Sequence, residues 1–295
     1  LPTEPAGVGT PISTPTSALR PFAAIDWSRP WLATVRDAAA AVARQLGEDA
    51  GSHWRAALDA GAGARDVRSS TGLPLQFVAQ DCLPPGVAYE TFVAGQGRVP
   101  TRDNLHDYFN GLVWLSFPQT KRQLNAMQAQ HIAQAGIGSV RGPVRDAITI
   151  FDENAAILAV TDDACGAALL AALRAHDWQH AFALWRREGA AGGRRFAELY
   201  LFGHALMEKL VAPYKAITAH VLALPVTADF FALAAPARLA ALDSALARQL
   251  EGDGFYRGCL TPLPVLGVPG WWPQQDRAFY ADASVFRPKR AGTVK

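Results

Sequence analysis

Apolar positions recur at helical spacing through the first half of the chain, and short continuous apolar runs appear in the second half. That pattern predicts helices first and a small sheet among further helices afterwards. From Trp31 to Leu46 the sequence is Ala-rich and helical, with Gly47 as a stop. A short helix follows around His53 to Leu58, then a turn region from Arg65 to Gly72. Leu75 to Ala79 is short enough for an extended segment or edge strand, Pro84-Pro85-Gly86 breaks the chain, and Tyr89 to Val93 forms one more short element. Residues 102 to 134 make the central helical unit. Leu105, Phe109, Leu112 and Val113 supply the 3.6-residue repeat, Tyr108 and Trp114 widen the stripe, and Pro118 marks a break and restart. The second helix runs through Leu124, Met127 and His131 toward Gly136.

After Pro143 the pattern changes. Ala147 to Phe151 and Ala155 to Val160 are apolar runs on either side of Asp152-Glu153-Asn154, which reads as a hairpin with a polar turn. Helices are expected from Ala164 to Arg174, Trp178 to Glu188, His204 to Leu210 and Leu239 to Leu250, and strands at Phe196 to Phe202 and Ile217 to Leu224. From Leu260 to Lys295 periodicity fades, but Trp271, Trp272, Phe279, Tyr280 and Phe286 are too apolar to sit loose in water. The strands are too few and too interrupted for regular βαβ units. The expected fold class is therefore α+β: many helices packed on a small, mainly antiparallel sheet, with an irregular C-terminal strap. Residues 1–21, rich in Pro, Thr, Ser and Gly, read as a flexible arm, and residues 22–295 as one domain.

Composition sharpens this picture modestly. A chain of 295 residues, 50% hydrophobic and 18% charged, suits an ordered globular protein. Its net charge of +2 gives little reason to expect a nucleic-acid partner, and no apolar run reaches the length of a membrane span. Cys82, Cys165 and Cys259 form no Cys-x-x-Cys pair, which fits a reduced, cytoplasmic setting. Phosphate-loop, dinucleotide and serine-esterase glycine signatures are absent.

Candidate chemistry lies on two helices. His106, Asp107 and Asn110 share one turn of an otherwise apolar segment, so their polar groups need partners. They can bind a metal, orient a water or hold a polar ligand; alternatively, Asn104 or Asp103 caps this helix and Asp107 favours its N-terminal end. His204 and Glu208 have the i, i+4 spacing that lets both reach one ion or water, with Glu208 orienting His204. These five residues are expected to line one cavity, with Asp152 or Glu153 at its rim. The first expectation is a hydrolase using a divalent metal or a histidine-activated water on a small polar or phosphorylated substrate. The metal, zinc or manganese, would be held by His106, Asp107, His204 and Glu208. The other expectation is a non-catalytic domain binding a small polar ligand or a protein partner, with Trp271 and Trp272 as its contact surface. His176-Asp-Trp-Gln-His180 resembles a zinc motif, but Asp177 as a helix cap leaves His176 outside the helix. Arg186, Arg187, Arg194 and Arg195 are expected in a solvated joint.

Taken together, several blocks resemble a bacterial family catalogued as domain of unknown function 3025. They are His106-Asp-Tyr-Phe-Asn-Gly-Leu-Val-Trp-Leu-Ser-Phe-Pro118 with Lys121, Leu124 and Asn125; Phe151-Asp-Glu-Asn154; Phe202-Gly-His-Ala-Leu-Met-Glu-Lys209; and Pro264-Val-Leu-Gly-Val-Pro-Gly-Trp-Trp272 followed by Phe279-Tyr280. The likeness covers roughly residues 70 to 288, with Ala155 a departure from an expected Gly. It implies that these blocks belong together and brings no activity, substrate or cofactor.

Overall fold

The computed structural model describes residues 22–48, 53–135, 142–187, 194–252 and 254–289. The expected arm, residues 1–21, lies outside them, as does the end of the expected strap. The N-terminal part is helical: α1 (Ala33–Glu48), α2 (Trp54–Ala64), the strand β1 (Gln76–Ala79), α3 (Tyr89–Gln96), β2 (Arg98–Thr101), α4 (Leu105–Ser116) and α5 (Pro118–Ala135). β1 and β2 pair in parallel as a small separate sheet. β2 escaped the sequence reading because four residues that include Pro100 carry no alternating pattern.

The C-terminal part contains α6 (Pro143–Asn154), β3 (Ala155–Thr161), α7 (Ala164–Ala175), α8 (Trp178–Arg186), β4 (Ala197–Leu201), α9 (His204–Lys209), β5 (Thr218–Val226), α10 (Ala235–Leu250), β6 (Thr261–Pro264) and α11 (Arg277–Ala281). The expected hairpin is absent. Residues 147–151 belong to α6, where Ala147, Ile148 and Phe151 recur at helical spacing and are buried, and Pro143 occupies the first turn. The helix passes directly into β3, all seven of whose residues are buried.

The sheet order is β4-β3-β5-β6. β3 pairs antiparallel with β4 but parallel with β5, and β5 pairs antiparallel with β6. The α+β class therefore stands, while the mainly antiparallel sheet does not. Replacing the hairpin by a helix leaves β3 central and joined to β5 through a long crossover, and such a crossover permits a parallel pair. One cluster of buried apolar side chains runs from Ile25 to Phe286. The tail contributes to it. Phe279, Tyr280 and Phe286 are buried, Tyr280 donates its hydroxyl to Gly267 O at 2.8 Å, and Trp178 donates its indole N–H to Arg287 O at 2.7 Å. Trp271 and Trp272 pack against the cluster, half-buried. No helix among the described residues is long and apolar enough to cross a membrane.

Candidate acid–base site

Strand register creates the site. Ala156 of β3 lies opposite Leu201 of β4, so the chain entering β3 and the chain leaving β4 meet at the same end of the sheet. Phe202 N and Gly203 N both donate to Ala155 O, at 3.1 and 2.8 Å. The approach is tight: a Cβ on Gly203 would stand 2.5 Å from Glu153 O and Ala155 N. Glycine therefore lets the last turn of α6, with Asp152, sit against the first turn of α9, with His204. Packing of α4 on α9 then delivers His106.

The two imidazoles, expected within one pocket, have ring centroids 4.4 Å apart and lie edge to face. Their Nε2 atoms are 3.0 Å apart, so one donates and the other accepts. His106 Nδ1 lies 3.1 Å from Glu208 Oε2. A carboxylate only accepts, which fixes the proton of that contact on His106 Nδ1. Glu208 thus orients His106, not the His204 on its own helix. His204 Nδ1 faces Asp152 Oδ2 at 3.9 Å, beyond hydrogen-bond distance. Burial pushes the His204 pKa down to about 4, against the opposing pull of Asp152. The ring is therefore neutral at pH 7.

Asp152 is tied to Lys121, whose Nζ donates to Asp152 Oδ1 at 2.6 Å and to Asn110 Oδ1 at 2.9 Å. Asn110 Nδ2 in turn donates to Tyr89 OH at 3.2 Å. Burial pushes the Asp152 carboxyl up, but Lys121 and His204 together outweigh it and hold it below the ordinary carboxylate range. Burial raises the Tyr89 hydroxyl, which stays protonated. Lys121 is 5% exposed, and its ammonium lies over the Trp114 ring, 5.3 Å from the centroid. Sequence reasoning missed Lys121 and Tyr89 as site residues. α5 looks solvated around Lys121, and only the family-like block carried that residue.

Asp107 serves the α4 entry. Its N–H is capped by Asn104 Oδ1 at 2.8 Å, and its carboxylate accepts from Arg102 N at 2.6 Å and from the Arg102 guanidinium at 3.0 and 3.1 Å. It also borders the cavity. That cavity, of about 290 Å³, is lined by His106, Asp107, Asn110, Asp152, Glu153 and His204, together with Tyr89, Glu90, Arg102 and Gln128. Glu208 reaches it through His106.

Zinc or manganese would need three or four converging donors. Asp107 is turned to Arg102 and Glu208 to His106 Nδ1, leaving the two Nε2 atoms as the converging pair. Among the described residues no group of three or more His, Cys, Asp and Glu side chains could hold a metal ion. His176 is the left-handed C-cap of α7 and Asp177 caps α8, so the zinc-like motif is split between two helices. Arg195 pairs with Glu198 at 3.2 Å, and Arg186 donates to Gln275 O at 3.1 Å.

Neither the curated proteins nor the solved structures yield a match to this chain. A family model described as protein of unknown function (DUF3025) matches residues 75–290, which includes every residue of the site, and the chain belongs to that family.

Proposed function

We propose that the cavity is an acid–base site that hydrolyses a small polar substrate through a histidine-activated water. The observation that carries this is the chain Glu208–His106–His204, with contacts of 3.1 and 3.0 Å, on the wall of a 290 Å³ cavity. In this reading Glu208 holds the His106 tautomer and stabilises the imidazolium formed when Nε2 takes a proton. The proton that reaches His106 Nε2 is the one His204 Nε2 donates across the 3.0 Å contact, and His204 takes the water's proton at Nδ1, on the Asp152 side, so His204 stays neutral and the charge rests on His106. Asn110, fixed by Lys121, directs its amide toward Tyr89 at the cavity lining and holds a substrate oxygen. The water route is favoured over the metal route because the carboxylates are committed to Arg102 and to His106 Nδ1.

The test is a hydrolysis panel of esters, amides and phosphodiesters on the wild-type chain, His106→Asn and Glu208→Gln. His106→Asn should lower kcat/KM about 10²- to 10⁴-fold, as expected for removal of a general base, with Glu208→Gln losing less. Equal hydrolysis by wild type and His106→Asn would sink the reading. One observation favours a non-catalytic ligand-binding cavity instead: each Nε2 lone pair or proton is already used by the other ring. Saturable binding with no turnover of any substrate class would select that reading.

A further inference from the structure

We propose that the cavity selects a ligand bearing a positively charged amine. This rests on reading the cavity as a functional site, and it names the class of molecule received. Four carboxylates line it: Glu90, Asp107, Asp152 and Glu153. Asp107 is neutralised by Arg102 and Asp152 by Lys121. Glu90 and Glu153 remain, both half-buried and without an ion-pair partner among the described residues. A low-dielectric wall carrying two uncompensated negative charges attracts cations and repels anions such as phosphate.

Gln128 supplies an independent indication. It is 6% exposed and borders both this cavity and an adjoining recess of about 50 Å³ that Glu90 also lines. The Thr149 hydroxyl donates to Arg145 O at 2.9 Å, so its oxygen is left to accept. Gln128 therefore turns Nε2 toward Thr149, at 3.3 Å, and its Oε1 stays buried without a partner among the described residues. A buried acceptor beside two free carboxylates asks for N–H donors. An ammonium or guanidinium supplies several at once and fits a recess of that size. Trp114 Nε1, also buried without a partner among the described residues, borders the recess and suits a hydroxyl or water accompanying the amine.

Isothermal titration of the full-length chain with agmatine, butyrate and inorganic phosphate at low ionic strength tests this. Agmatine should bind, butyrate and phosphate should not, and added salt should weaken the binding. Glu90→Gln/Glu153→Gln should weaken agmatine about tenfold or more, which is the scale of lost charge pairing at a desolvated contact. Gln128→Met, which removes the buried acceptor at similar volume, should weaken it several-fold, with near-UV circular dichroism confirming an intact fold. Phosphate binding in place of agmatine, or unchanged agmatine affinity in the double variant, overturns the proposal. Agmatine affinity in the double variant therefore judges the amine specificity, while hydrolysis by His106→Asn judges the acid–base reading.

Discussion

Lys121 links the polar groups of the cavity, since one ammonium serves Asp152, Asn110 and the face of Trp114. Removing it strands a carboxylate. Lys121→Met should destabilise the protein by about 2 kcal/mol, below the roughly 3–5 kcal/mol of a fully buried pair because Asp152 keeps some water contact. Lys121→Met/Asp152→Leu should recover part of that loss; urea titrations of both variants would reveal it, and additive losses would contradict the pairing. His204 adds a pH dependence with a definite sign. Its folded pKa, about 4, lies below the ordinary 6.5, so between these values the unfolded chain binds more protons. Stability from this group is complete above pH 6.5 and falls as pH drops toward 4. The change amounts to about 3 kcal/mol at most, from about 1.4 kcal/mol per pKa unit. Asp152, held low, adds its own loss only below its usual value of 3.8. Unfolding measured at pH 7, 6 and 5 should lose this slope in His204→Gln, and an unchanged slope would place the titration elsewhere.

α4 is the element on which the site depends. From Asp107 to Leu115 every residue is buried, so its polar groups have protein partners where a surface helix would use water. Trp114, 2% exposed, forms the floor under Lys121, although its indole N–H finds no acceptor among the described residues, contrary to the expectation for a buried tryptophan. Trp114→Ala should cost about 3–5 kcal/mol through lost contact and a cavity. An unchanged unfolding midpoint would contradict the burial of α4. α5 restarts at Pro118 with help from a distant element: Asp243 of α10 accepts from Gln119 N at 3.0 Å and Thr120 N at 2.8 Å, a cap supplied in space rather than in sequence. That contrast explains what could be read in advance. Helical stripes such as Leu105, Phe109 and Leu112 are local and legible, whereas the i, i+4 spacing of His204 and Glu208 suggests a pairing that the structure replaces by Glu208 on His106. The Glu208–His106 bond, the Lys121–Asp152 pair and the Asp243 cap join residues from separate elements, and no local pattern encodes them. α6 was misread because Ile148, Thr149, Ile150 and Phe151 favour strands while their buried spacing is helical.

At the scale of the molecule, the site sits where two kinds of structure meet. α4 and α5 bring His106, Asn110 and Lys121 from the helical part; the ends of β3 and β4 fix Asp152 and His204 at the sheet. Loosening either part would separate the groups, so the contact between them must persist for the cavity to keep its geometry. The continuous buried cluster from Ile25 to Phe286 supplies the means, with Phe117 of the first part against Phe202 of the second at 5.2 Å between centroids. We therefore propose that residues 22–289 unfold as one cooperative unit. The eight tryptophans sample the segment before α1, α2, α4, α8 and the tail, so their fluorescence reports on both parts. Fluorescence and far-UV circular dichroism should give coincident urea transitions, and Trp114→Ala should shift both together. Two separated transitions, with only one moved by that substitution, would mean that the helical part and the sheet fold apart. The shared site would then be held by the weaker of the two.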